Sequence, residues 1–203
     1  MTRRHGFTLV ELLVVIGILV VLMALLIPTT RYIREHARRT ACTNNLHVIH
    51  TATLDYTEDY RGRLPDCTIL NVRPNHPRQL HNLLRPYLGE PEPYDLSEPV
   101  PVFICPSYGN ANEDLLKIFG ATYQVNSDYA WGANRNPRPF NGRLMSQFKN
   151  PADVGLVRDA RGWHRLSRKG GWTLRSTMGQ QVVFLDGHIR YFGDVDRHAG
   201  DIW

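Results

Sequence analysis

"RRHGFTLVELLVVIGILV", Arg3 to Val20, opens an apolar run that reaches Ile27 and is broken only by Thr8, Glu11 and Gly17. As one helix, Phe7 to Ile27 would be about 30 Å long, the thickness of a bilayer's hydrocarbon core. Arg3, Arg4 and His5 precede it. A secretory signal peptide has a shorter apolar core, about 7–15 residues, and ends in a small-residue cleavage site. This run is longer and ends in Ala24-Leu25-Leu26-Ile27-Pro28, a poor site of that kind. A plain membrane anchor explains the length but not Glu11. Ionisable groups inside such segments are costly and usually answer to a partner.

A short basic leader, Gly6, and then "FTLVELLVVIGILVVLMALLIP" together resemble the class III signal of the type IV pilin family. The resemblance implies that a membrane prepilin peptidase cuts between Gly6 and Phe7 and methylates the new amino group on Phe7. Glu11 is then the fifth mature residue, with a role in assembly. The implied partners are that peptidase/methyltransferase, other pilin or pseudopilin subunits, and inner-membrane lipid before assembly. Physical chemistry is consistent with this. Glycine at the junction lets the backbone enter a protease cleft without a Cβ. A carboxylate in the first turns of a helix is favoured by the helix dipole. Counting positive charge does not orient the segment, since Arg3 and Arg4 face Arg31, Arg34, Arg38 and Arg39, offset by Glu35. The resemblance does orient it: leader in the cytoplasm, a single pass through the inner membrane, and an extracytoplasmic head, in the membrane or in a periplasmic or surface filament.

Past Pro28, where proline should bend a helix, the helical period resumes. Cys42, Leu46, Ile49, Thr53, Tyr56 and Tyr60 recur at three- and four-residue steps, a stripe for packing on a head. Gly62 and Pro65 supply the stop. The expected organisation is a leader at 1–6, a long helix at 7–61 with 7–27 transmembrane, and a globular head at 62–203. "CTNNLHVIHTATLDYTEDYRGRLP" is similar to segments of secretion pseudopilins. The arginines between 31 and 39 read as a solvated face or an intersubunit contact, with anionic lipid headgroups as the alternative.

In the head, residues 78–88 suit a short helix. "VFICPS" (102–107), "ATYQVNSDYAWG" (121–132), "DVGLVRDA" (153–160) and "QQVVFLDGHIRYFG" (180–193) suit strands. The last carries Asp186-Gly187 between two apolar runs, a strong hairpin signal. The fold class is therefore α+β: a long N-terminal membrane-spanning helix packed on a small antiparallel sheet. "FLDGHIRYF", "FICPS" and "PADVGLVRDA" resemble the H-X9-DG group of prepilin-like proteins, although Ser176 stands where that group carries His. Cys42 and Cys105 both lie in segments that carry these resemblances, which makes them the expected disulfide; Cys67–Cys105 is the competitor.

Other chemistries find little support. The net charge of +5 is spread along the chain without a basic block, so no nucleic-acid partner is expected. Three cysteines without a Cys-x-x-Cys pair argue against zinc. There is no Gly-x-Ser-x-Gly, no His-Glu-x-x-His and no phosphate-cradling glycine loop, so neither an enzyme nor a cofactor is expected. Asp186, Asp194 and Asp196 near the C-terminus read as solvated turn acids, with calcium ligation as the alternative. Trp131, Trp163, Trp172 and Trp203 read as core or contact residues, with a carbohydrate platform as the alternative. Two functions remain. One is a structural subunit of a type IV pilus-like or type II secretion pseudopilus filament. The other is a membrane-tethered extracytoplasmic glycan-binding module that uses a prepilin signal.

Overall fold

The computed structural model describes residues 8–67, 75–90, 92–108, 120–125, 140, 142–159 and 180–192. Helix α1, Leu9–Asp59, is 51 residues long and continues through Pro28. A short α2, Leu80–Leu83, leads into a 3-10 turn at Arg85–Leu88. Four strands follow: β1 Tyr123–Val125, β2 Gly155–Asp159, β3 Gln180–Phe184 and β4 Ile189–Phe192. They pair antiparallel in chain order, so the class is α+β. The chain divides into two compact units, Met1–Ala37 and Arg38–Trp203.

Local chemistry sets the ends of α1. At its start Thr8 and Glu11 cap each other, as detailed below. At its end the Gly62 amide donates to Thr57 O (2.8 Å) and the Arg61 amide to Glu58 O (3.3 Å). These are the two bonds of a Schellman stop. The left-handed position before Gly62 is held by Arg61, at φ 56°, and Gly62 itself is at φ 79°. Glycine thus ends the helix as expected, but one place later than the position that favours it most.

In the second unit, α1 lays Cys42, Leu46, Ile49, Ala52 and Tyr56 into a core shared with Tyr123, Leu156, Val157, Val183 and Leu185. Thr53 is buried too and satisfies its hydroxyl by donating to Ile49 O at 2.7 Å. Tyr60 departs from the expected stripe. It lies past the helix end, is 52% exposed, and stacks on Tyr56 at 4.0 Å.

The sheet register sorts residues by face. Val125, Val157, Val183 and Ile189 stand in one row across the four strands. All four belong to or pack against the core shared with α1. Val182, Phe184 and Phe192 form a separate buried cluster. β3 is buried along its whole length, Gln180 and Gln181 included, so Val182, Val183 and Phe184 run without polar alternation. An irregularity between Gly155 and Val157 lets both Leu156 and Val157 reach full burial.

Three sequence expectations change. "VFICPS" is not a strand: Pro101 starts a 3-10 turn over Pro101–Phe103, and Ile104 is extended. Its fixed φ suits the first position of a turn. The helix expected over 78–88 is split, because Arg85-Pro86-Tyr87-Leu88 tightens to 3-10 geometry after Leu84. The β3–β4 connection is longer than a two-residue Asp-Gly turn. The Gly187 amide donates to Phe184 O (2.9 Å) and the Phe184 amide to His188 O (3.0 Å), giving a three-residue loop with Gly187 left-handed at φ 89°. Three-residue hairpins are built this way. The part of "ATYQVNSDYAWG" beyond Val125 lies outside the described residues.

Gly187 is also where the hairpin meets α1. A Cβ there would stand 2.8 Å from His50 Cε1. The same ring's Nε2 lies 3.1 Å from Leu185 O. Gly187→Ala combines an unfavourable left-handed backbone with a clash against a ring already engaged. It should destabilise the second unit by about 2–3 kcal/mol, measurable as a lower urea midpoint at an unchanged m-value.

Candidate functional site: the helix start and the tied helix–sheet unit

Thr8 is the N-cap of α1 and Glu11 its third helical residue. The Glu11 amide donates to Thr8 Oγ1 at 3.3 Å. In return Glu11 Oε2 accepts from the Thr8 amide at 2.8 Å and from the Thr8 hydroxyl at 2.7 Å. This reciprocal pair is a capping box. Its signature, Thr-x-x-Glu, stands in the sequence at Thr8 and Glu11. Both Thr8 bonds fall on Oε2, and no described residue bonds Oε1. The capped start therefore still presents carboxylate oxygen. Gly6 and Phe7 lie outside the described residues.

From Leu9 to Met23 every described side chain of the first unit is exposed, with Leu9 at 79% and Met23 at 62%. A continuous apolar surface of this kind requires lipid or protein against it. Among the described residues no helix is long and apolar enough to cross a membrane. The side chains described without a gap end at Ala24, while the apolar sequence goes on through Leu25, Leu26 and Ile27.

In the second unit the structure joins Cys42 of α1 to Cys105, with Cα atoms 5.4 Å apart. Cys67 takes no part in that bond and is buried, which pushes its thiol up to about 12 and suppresses thiolate chemistry. Around the disulfide, polar groups link the helix to the sheet. Asn45 Nδ2 donates to Ile104 O at 3.1 Å. The Cys105 amide donates to Thr122 Oγ1 at 2.6 Å. Gln181 Nε2 donates to Thr43 Oγ1 at 2.6 Å, and the Gln181 amide to Asp159 Oδ2 at 2.7 Å. The Arg39 guanidinium lies 3.4 Å over the Tyr191 ring. Tyr123, Asp159, Gln181 and Tyr191 share one face of the sheet, and Thr43, Asn45 and Arg39 answer them from α1. Sequence reasoning missed this row, because no short-range pattern marks polar residues that meet across 138 positions, as Thr43 and Gln181 do.

Of the remaining candidates, Asp186 lies among the described residues. Asp186 is exposed and accepts from the His188 amide at 3.1 Å and lies 2.7 Å from His188 Nδ1. Partial burial raises its carboxyl, but the His188 bonds outweigh this and hold it below the ordinary carboxylate range. Asp194, Asp196, Ser176 and the tryptophans Trp131, Trp163, Trp172 and Trp203 lie outside the described residues. Among the described residues, the group of metal-type side chains within mutual reach is Cys42, Cys105 and Asp159. Its two sulfurs are bonded to each other.

Comparison with known proteins adds two matches. Residues 1–27 match the prokaryotic N-terminal methylation motif. Residues 31–98 match a family described as a protein of unknown function (DUF1559). No curated protein and no solved structure matches the chain. A methylation motif at the start, the DUF1559 segment behind it, and a long first helix with a small antiparallel sheet support a type IV pilin-like or pseudopilin-like protein.

Proposed function

We propose that the chain is a structural subunit of a pilus-like or pseudopilus-like filament, processed by a prepilin peptidase and held in the inner membrane until it assembles. The observation that carries this reading is the methylation motif over residues 1–27 joined to an uncovered apolar face from Leu9 to Met23. Lipid covers that face before assembly, and the same face of neighbouring subunits covers it afterwards. The second unit, with its disulfide and its buried sheet, is the head carried outside the membrane. Disulfides persist in such oxidising compartments.

Processing is the first test. Cleavage after Gly6 removes Arg3 and Arg4 and lowers the side-chain charge from +5 to +3. Mass spectrometry of the membrane form should find Phe7 at the terminus, carrying one added methyl group. A terminus between Ala24 and Pro28 would overturn the reading and leave a secreted protein instead.

A further inference from the structure

The charges of α1 are segregated. Arg31, Arg34, Arg38 and Arg39 against Glu35 leave +3, and Asp55, Glu58 and Asp59 leave −3. No Asp, Glu, Lys or Arg stands between Arg39 and Asp55. Arg34, Arg38, Asp55 and Glu58 are exposed, and no described residue pairs with any of them.

This arrangement is unfavourable for a lone helix. The last turn of α1 holds acids and no base, at the end where the helix dipole is negative and favours cations. Arg34 and Arg38, four apart, repel each other along one face, as do Asp55 and Glu58 three apart. Nor can the two groups neutralise each other within one chain. Arg38 and Asp55 both lie in the second unit, 17 residues apart on one helix. That is about 26 Å of rise, roughly three times the physiological Debye length. A second copy shifted by about 20 residues along α1 brings Arg34 level with Asp55 and Arg38 level with Glu58, pairs that stand 21 and 20 positions apart in the sequence.

Resting on the filament reading above, we propose that Arg34 and Arg38 of one subunit pair with Asp55 and Glu58 of a second copy of this chain. The contact sets how far one helix is displaced along the next. Like charges brought together at other displacements are repelled, so the pattern selects a stagger as well as a partner.

Charge reversal tests it. Filaments are counted by negative-stain microscopy in cells producing the full chain, at matched levels of the processed membrane form. Arg34→Glu with Arg38→Glu should reduce filament number roughly tenfold or more, and so should Asp55→Arg with Glu58→Arg. The chain carrying all four changes should recover most of the loss. Retention of the Cys42–Cys105 bond in each variant excludes misfolding as the cause. If every variant assembles like the parent, this contact is overturned and the filament reading stands. If only the arginine changes matter and the fourfold variant is not rescued, the arginines serve anionic lipid and the contact is overturned. If the parent forms no filaments, the filament reading fails and the contact with it.

Discussion

A chain carrying Glu11→Val should be cut after Gly6 as efficiently as the parent and should not assemble. On the filament reading, cleavage would expose an α-amino group on Phe7 that stays charged when methylated. Glu11 follows that residue by four positions in the sequence. Between two stems packed side by side, the ammonium of one and the carboxylate of the other can meet directly and fix the axial register. A single buried polar pair sets register in coiled coils in the same way. The capping box sharpens the test, because Glu11 has a second duty as the acceptor of both Thr8 bonds. Glu11→Gln separates the two. Its amide oxygen can still accept from the Thr8 amide, so the cap survives, but the charge is gone. The register account expects Glu11→Gln to be processed and to assemble as poorly as Glu11→Val, counted as filaments at equal levels of processed protein. Assembly by Glu11→Gln at the parent's level would make the cap, not the charge, the reason for Glu11.

Replacing Cys42 and Cys105 together by serine should cost the second unit about 4 kcal/mol. The bond joins residues 63 positions apart, and the chain-entropy account assigns a loop of that size roughly this amount. For a unit of this size the melting temperature should fall by about 8–16 °C. The loss is not confined to the unfolded state. Cys42 is fully buried beside Asn45, which holds Ile104 O, and Cys105 is held by Thr122. Two hydroxyls placed in that buried pocket must find acceptors or add their own penalty. Cys67→Ser leaves the bond intact and should cost less. Thermal melts of the three proteins decide it. A double serine variant that melts within a degree or two of the parent would mean the bond contributes little to the native state.

The long helix was legible because its signals are local. The apolar run, the three- and four-residue stripe from Cys42 to Tyr56, and Gly62 at the stop can each be read from a short window. The class was legible for the same reason, since β3 and β4 flank Asp186-Gly187 and β2 shows in the Leu156-Val157 pair of "DVGLVRDA". What escaped depends on contacts between distant residues or on competition between local rules. Val102-Phe103 has strand-like composition, yet Pro101 draws both residues into a 3-10 turn. The polar row across the sheet pairs Thr43 with Gln181 and Asn45 with Tyr123, and neither pair leaves a mark in sequence. Glu11 was found as a charge in need of a partner, and the nearer partner, Thr8, was passed over. Gly187 was read as a turn residue alone. Its second constraint, the His50 ring 2.8 Å from where a Cβ would stand, appears only when helix and hairpin meet.

The central claim is that this chain leaves the membrane to become part of a filament. Immunogold labelling with an antibody to the second unit, on cells and on the sheared fraction, tests it most directly. The account predicts gold arrayed along filaments that are present with the parent chain and absent with Glu11→Val. Label spread evenly over the envelope, unchanged by Glu11→Val and absent from the sheared fraction, would contradict it.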